Sequence, residues 1–282
     1  MMNGDAGILY VVATPIGNLS DLSERARQTL AEADLVLCED TRQTARLLSA
    51  FGLSVPTRSF HAHNERKMQQ WVIDRLCAGS SIALVSDAGT PLISDPGYPL
   101  VREARRRGLR VSPIPGPSAV IAALSVSGLP ADRFSFEGFL PSQSGRRRNA
   151  LEKLANEPRT LIFYESSHRI AACLKDMADL LDPDREIVIC REMTKLHETF
   201  FFGPLGAARE FVDSADDQKK GEFVIVVDGR RDADHEWEKA CALLDRLGAV
   251  LPAKEASRIA AETFSVSRNR LYRRIAEASA KE

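Results

Sequence analysis

Along most of this chain, short apolar runs alternate with longer stretches whose apolar positions recur every three or four residues. Residues 8–13, 35–38 and 82–85 are runs of the first kind and predict strands, and the more polar segments 58–62 and 110–114, set between helical stretches, are read as strands too. Residues 22–33, 41–51, 65–77 and 98–107 are of the second kind and predict helices; Leu22, Ala26, Leu30 and Ala33 share one face of the first of them. Strand and helix in alternation argue for a mostly parallel sheet covered on both sides. Pro115-Gly116-Pro117-Ser118 ends that unit, and Ser118 is a good N-cap for a helix over 119–126. Gly128-Leu129-Pro130 breaks that helix and puts a domain boundary near residues 117–130.

The second half is α/β again. Strands are predicted at 134–136, 160–164, 187–190, 199–202 and 222–227, and helices at 146–156, 169–181 and 205–213. From about residue 233 the strands stop, and helices are predicted at 235–247, 253–263 and 268–278. The last two resemble a helix-turn-helix, with Ser267 capping the second helix and Arg268, Asn269 and Arg270 at its start, where a recognition helix presents contacts. A small helical cap over an apolar face fits the same pattern, and both readings stand. The expected division is residues 1–117, a first α/β domain; 118–230, a second; and 231–282, a helical unit.

Composition narrows the class. The 38 basic and 39 acidic residues nearly cancel, so global charge does not announce a nucleic-acid binder. Basic clusters do occur at Arg105-Arg106-Arg107, at Arg146-Arg147-Arg148, and at Arg268, Arg270, Arg273 and Arg274. One such cluster is ordinarily a solvated face; three on a near-neutral chain point to a divided basic surface. The five cysteines have no C-x-x-C spacing, which implies a reducing compartment without structural zinc. No apolar stretch is long enough to span a membrane, and the N-terminus lacks a signal core, so a cytoplasmic protein is expected.

The chemistry collects in the loops after strands. Ser86-Asp87-Ala88-Gly89-Thr90-Pro91-Leu92-Ile93-Ser94-Asp95-Pro96-Gly97 follows the apolar run Ile82-Ala83-Leu84-Val85. An ordinary strand-to-helix connection needs one Gly or Pro; two of each with two carboxylates suit a stiff loop whose backbone approaches a ligand. Thr14 to Asn18, Glu39 to Arg42 and Pro115 to Ser118 are similar. Neither G-x-G-x-x-G nor G-x-x-x-x-G-K-[ST] is present, so neither a dinucleotide fold nor a P-loop NTPase is indicated. The helix start at Ser118 can receive a carboxylate, and Asp87 an ammonium or ribose hydroxyls.

Taken together, these motifs resemble the ribosomal RNA small subunit methyltransferase I family of the tetrapyrrole methylase superfamily. The carrying residues are Val12 to Leu19, Cys38-Glu39-Asp40-Thr41-Arg42, Asp87 to Pro91 with Ser94 to Gly97, and Pro115 to Ala119. Tyr164 to Arg169, Arg191 to Lys195 and Gly221-Glu222-Phe223 complete the set, in the family's order over residues 8–228. Ser167 departs from it, standing where Pro is expected. The resemblance implies two α/β domains of tetrapyrrole methylase type, S-adenosylmethionine in the interdomain cleft, a small C-terminal helical unit and a homodimer. It implies 2′-O-methylation of a cytidine in the decoding region of small-subunit rRNA, as free rRNA or in the assembled 30S subunit. Cofactor contacts are then expected from Pro15 and Gly17; from Asp87, Ala88, Gly89, Thr90 and Pro91; from Pro115, Gly116, Pro117, Ser118 and Ala119; and from Gly221 and Glu222.

Methyl transfer from a sulfonium needs neither metal nor protein nucleophile, and no metal site is expected. It needs an oriented acceptor and a place for one proton. Glu192 and Lys195, with Asp40 and Arg42 opposite, follow apolar strands and are the candidates for that work; structural ion pairing is the plainer reading of each. RNA contacts are expected from Arg146, Arg147 and Arg148 and from Arg268 and Arg270. A tetrapyrrole methyltransferase and a ligand-sensing DNA-binding regulator are the alternatives. The basic runs and added helices weigh against the first, and the four strand-end loops against the second.

Overall fold

The computed structural model describes residues 6–230, 232–268, 271, 272 and 274. The first half forms a five-stranded sheet from β1 (Ile8–Val12), β2 (Leu35–Cys38), β3 (Thr57–Ser59), β4 (Ile82–Leu84) and β5 (Arg110–Ile114). Its order is β3-β2-β4-β1-β5 and every pairing is parallel. The connecting helices are α1 (Glu24–Glu32), α2 (Thr41–Ala50), α3 (Glu65–Cys77) and α4 (Tyr98–Arg106). Side chains alternate across the strands. Leu35 and Leu37 enter a core with Ile73 and Leu100, from α3 and α4. Val36 and Cys38 enter the opposite core with Leu30 and Leu48, from α1 and α2. Two helix starts are fixed by side chains that accept otherwise unpaired backbone donors. Ser23 accepts from the Ala26 amide at 3.1 Å, and Asp40 from the Arg42 amide at 2.8 Å.

Residues 115–118 lead into α5 (Ala119–Ser127), which stops at Gly128 in the left-handed region (φ +70°). The second sheet contains β6 (Phe134–Phe139), β7 (Thr160–Ser166), β8 (Glu186–Arg191), β9 (Thr199–Pro204) and β10 (Glu222–Val227), in the order β6-β7-β10-β8-β9. Only β6 and β7 run parallel; the other pairings are antiparallel. The last strand thus lies at the centre. Helices α6 (Ser144–Leu154), α7 (Ile170–Leu180) and α8 (Leu205–Asp213) cover one face, burying Leu161, Phe163, Ile189 and Ile225. α5 covers part of the other, where Val120, Ala123 and Leu124 meet Ile162, Val188 and Val224. Finally, α9 (Asp232–Gly248) and α10 (Ala253–Phe264) close a core of their own around Ala240, Leu244, Ala256, Ala260 and Leu271.

Candidate active site in the cleft between the sheets

Three strand-end loops of the first sheet are joined into one floor. Thr14 and Gly89 exchange backbone hydrogen bonds, the Thr14 amide to the Gly89 carbonyl at 2.9 Å and the reverse at 3.1 Å. The Thr14 hydroxyl donates to the Ser86 carbonyl at 3.3 Å, and the Thr90 hydroxyl to the Pro117 carbonyl at 3.0 Å. Gly89 needs to be glycine for its conformation (φ +78°), since a Cβ there would meet nothing closer than Ile16 Cγ2 at 3.4 Å.

The second half supplies the facing wall: the end of β7, the 192–195 segment after β8, and the start of β10. Between floor and wall lies a cleft of about 430 Å³. The wall leans on the floor at Gly17, where a Cβ would come within 2.5 Å of Lys195 Cγ and 2.7 Å of Thr194 Oγ1. Backbone strain is concentrated at this place. Five non-glycine residues have positive φ among the described residues, and four of them are Leu92, Ser94, Glu192 and Thr194, in the two facing loops. Side chains hold the second loop in shape. Glu198 accepts from the Thr194 amide at 2.7 Å, and Arg191 donates to the carbonyls of Lys220 at 2.7 Å and His197 at 3.0 Å.

Of the expected cofactor residues, Asp87, Ala88, Gly89, Thr90, Ser118, Ala119, Gly221 and Glu222 line the cleft. Pro15, Gly17, Pro91, Pro115, Gly116 and Pro117 do not; they stand behind the lining and shape it. Gly116, for example, lets the loop pass close to Ala13, whose Cβ would be 3.0 Å from an added methyl.

Glu192 and Lys195 both line the cleft and are joined there. Lys195 Nζ donates to Glu192 Oε1 and to Glu222 Oε2, each at 2.8 Å, and the Glu222 amide donates to Glu192 Oε1 at 2.9 Å. Burial pushes the Glu192 carboxyl up, but the bonds from Lys195 and the Glu222 amide outweigh it and leave it below the ordinary range. Burial likewise pulls Lys195 down, and its two carboxylate partners more than restore it, so it stays cationic.

Asp40 and Arg42 are not opposite this pair in the cleft, which corrects the sequence expectation. Asp40 is the cap of α2 and pairs with exposed Arg42 at 2.8 Å, and that guanidinium holds its carboxyl down at about 2. Through its amide, Asp40 instead fixes Asp87 (3.1 Å), which also accepts from Gln43 Nε2 (3.2 Å).

The cleft also contains Asp95 and Tyr164, to which the sequence assigns no role, and Glu165, an alternative candidate base from the polar cluster after β7. Asp95 lines it beside Ser94. Burial raises its carboxyl to about 6; a bond from Ser86 opposes the shift, and the nearby charges of Glu39 and Asp87 add to it. Tyr164 faces the same space, its hydroxyl pushed up to about 12 by burial and by Asp95. Glu165 is 2% exposed, accepts from the Ser166 amide at 2.8 Å and pairs with Arg169 at 3.2 Å. The signal for Asp95 is its place in the loop 86–97, as the second carboxylate of a stiff loop whose backbone approaches a ligand.

The arginine expectations divide. Arg146 and Arg268 are exposed, and Arg270 lies outside the described residues. Arg147 is 5% exposed and pairs with Asp176 at 2.6 Å, so it cannot reach a phosphate; this too corrects the expectation. Arg148 shares Asp176 and adds Asp179, both at 3.1 Å. Arg147→Ala leaves Asp176 buried beside a void and should cost about 3–5 kcal/mol of stability. Urea unfolding checks this; an unshifted midpoint would return Arg147 to the surface.

Known proteins place the fold and the chain. The profile of Tetrapyrrole (Corrin/Porphyrin) Methylases matches residues 8–209, and that of the RsmI C-terminal HTH domain matches residues 234–279. A uroporphyrin-III C-methyl transferase from Thermus thermophilus, solved with S-adenyl homocysteine, superposes with a TM-score of 0.55 at 20% identity, over 78% of this chain and 97% of that one. Diphthine synthase gives 0.59 at 16% identity, over 79% and 90%. Curated relatives are nearer. Ribosomal RNA small subunit methyltransferase I of Xylella fastidiosa (strain Temecula1) is 52% identical over 94% of this chain and 98% of its own. That of Vibrio cholerae is 50% identical over 95% and 94%. The paired sheets, the cleft between them and these full-length similarities establish that the chain belongs to the ribosomal RNA small subunit methyltransferase I family, among the tetrapyrrole methylases.

Proposed function

We propose that this enzyme transfers a methyl group from S-adenosylmethionine to the 2′-hydroxyl of a cytidine in the decoding region of 16S rRNA. The observation that carries the reading is the cleft: rigid backbone and the Asp95 carboxyl on the floor, and the Lys195 cation held between Glu192 and Glu222 on the wall. Its volume suits a cofactor-sized ligand. The lining fits S-adenosylmethionine group by group. Phe139 and Tyr164 offer aromatic surface, Asp87 offers a carboxylate for hydroxyls or an ammonium, and Ser118 and Ala119 stand at the N-terminus of α5, which favours a carboxylate. When bound, the cofactor supplies a methyl group already electrophilic on its sulfonium.

The chain's own residues do the rest. The Glu192–Lys195 pair orients the ribose hydroxyl, and the Lys195 cation stabilises negative charge as it develops on that oxygen. Asp95 accepts the proton: it is the cleft carboxyl that burial raises to about 6, and it has no cationic partner among the described residues. Glu192 and Glu222, by contrast, are held by Lys195 and Glu165 by Arg169, and Asp87 accepts from the Asp40 amide and Gln43. Arg146, Arg268 and Arg270 contribute to the basic footprint for rRNA, in free form or in the 30S subunit.

The working form is a homodimer in the cytoplasm. Support for the dimer is apolar surface on the α5 side of the second sheet, where Ile121 and Val126 of α5 and Phe202 of β9 are exposed. No helix among the described residues is long and apolar enough to cross a membrane.

The test supplies labelled S-adenosylmethionine with small subunits, naked 16S rRNA, duplex DNA or tetrapyrrole precursors. The reading expects label in the rRNA, at a site that becomes resistant to alkaline cleavage. Label in a base, in DNA or in a tetrapyrrole would reject it.

A further inference from the structure

On the outer side of the first sheet, α3 and α4 lie side by side and leave an open groove of about 600 Å³ between them. Arg66, Gln69, Tyr98, Arg102, Glu103 and Arg106 form its sides. On a chain of net charge −1 this groove is distinctly cationic, with three guanidinium groups against one carboxylate. Glu103 is shared between Arg106 at 3.3 Å and Arg107 at 2.8 Å. Arg66 and Arg102 are exposed and have no acidic partner among the described residues. Tyr98 is 62% exposed at the first position of α4, where the core makes no use of its ring.

An exposed ring between unpaired guanidinium groups along a groove is the arrangement that binds single-stranded nucleic acid: stacking for a base, cations for the backbone. The groove also adjoins the cleft. The loop that gives Ile93, Ser94 and Asp95 to the cleft runs directly into Tyr98, so Asp95 and Tyr98 are separated by at most about 10 Å of chain. Glu65, the first residue of α3, accepts from the Gly97 amide at 3.1 Å and ties the groove to that loop.

We propose that the α3–α4 groove holds the single-stranded rRNA segment beside the target nucleotide, with Tyr98 stacked on a base and Arg66 and Arg102 on the phosphates. The proposal rests on the rRNA reading above. It is separate from the surfaces of α6 and the C-terminal helices, and it uses no residue of the cofactor cleft.

The test compares wild type with Arg66→Ala/Arg102→Ala, Tyr98→Ala and Tyr98→Trp. The control is Lys153→Ala/Lys175→Ala, on helices of the second domain. Binding is read by anisotropy with a labelled single-stranded RNA 12-mer, an RNA duplex and a poly-aspartate peptide, and methylation with small subunits. The arginine pair should weaken binding of the single strand about tenfold and reduce the slope of log affinity against log salt by roughly 1.4. Tyr98→Ala should weaken it about tenfold as well, and Tyr98→Trp should restore it. Cofactor affinity and melting temperature should stay at wild-type values in all of them. If wild type methylates rRNA while these variants bind the 12-mer with unchanged affinity and slope, the groove proposal fails alone. It also fails if only the poly-aspartate peptide responds, which would make the groove a protein-docking site. If wild type neither binds nor methylates rRNA, the function reading itself fails.

Discussion

Asp95→Asn should lower the single-turnover rate of methyl transfer by about 10²-fold or more and, at pH 8, raise the melting temperature by a few degrees. The two effects share one cause. Asparagine cannot take the proton of the ribose hydroxyl, so the rate falls. The stability gain follows from the raised pKa. An acid at about 6 in the folded chain and near its ordinary value of 3.8 when unfolded binds more protons when folded, so stability declines as pH rises through that window. Above it the native state retains a half-buried carboxylate facing Glu39 and Asp87, and the amide removes that repulsion. For wild type, the rate should rise with pH through about 6 and then level off. Loss of rate with a lowered melting temperature would make Asp95 structural; an intact rate would move the proton acceptor elsewhere.

Lys195→Met should have the next largest effect, a loss of about 10²-fold in rate with cofactor affinity little changed. The substitution removes the cation near the developing alkoxide and leaves Glu192 and Glu222 facing each other without it. Glu192→Gln is the informative companion. Its Oε1 can still accept from Lys195 and from the Glu222 amide, so the loss should be nearer tenfold. A Glu192→Gln defect as deep as that of Asp95→Asn, with Lys195→Met mild, would identify Glu192 as the base and overturn the assignment made here.

Local pattern carried the sequence reading as far as local pattern decides structure. The parallel first sheet was legible because β1, β2 and β4 are apolar on both faces and the connections have helical periodicity, which carries the more polar β3 and β5 with them. The loops 86–97 and 115–119 were legible because Gly and Pro in quantity at a strand end have few other uses. Pairing in the second sheet was not, because local periodicity does not tell parallel from antiparallel partners, and three of its four pairings are antiparallel. Arg147 shows a signal that was available and unused. Three consecutive residues of a helix point about 100° apart, so Arg146, Arg147 and Arg148 could not all face one phosphate backbone. Asp40 was misplaced for a related reason. A carboxylate before a helix is first a cap, and its side chain was already committed to the Arg42 amide.

The central position of β10 bears on how the enzyme is made. A chain emerging from its amino end can close the first sheet once β5 has appeared, since every strand of that sheet lies upstream of residue 115. The second sheet has no such freedom. Until residues 222–227 arrive, β7 and β8, paired only with β6 and β9, each leave one apolar strand edge open. The same late strand begins at Glu222, which holds Lys195 and Glu192 together. The candidate site is therefore the last part completed during synthesis of the two sheets, and a nascent chain stalled before β10 has a finished first sheet and an incomplete cleft wall.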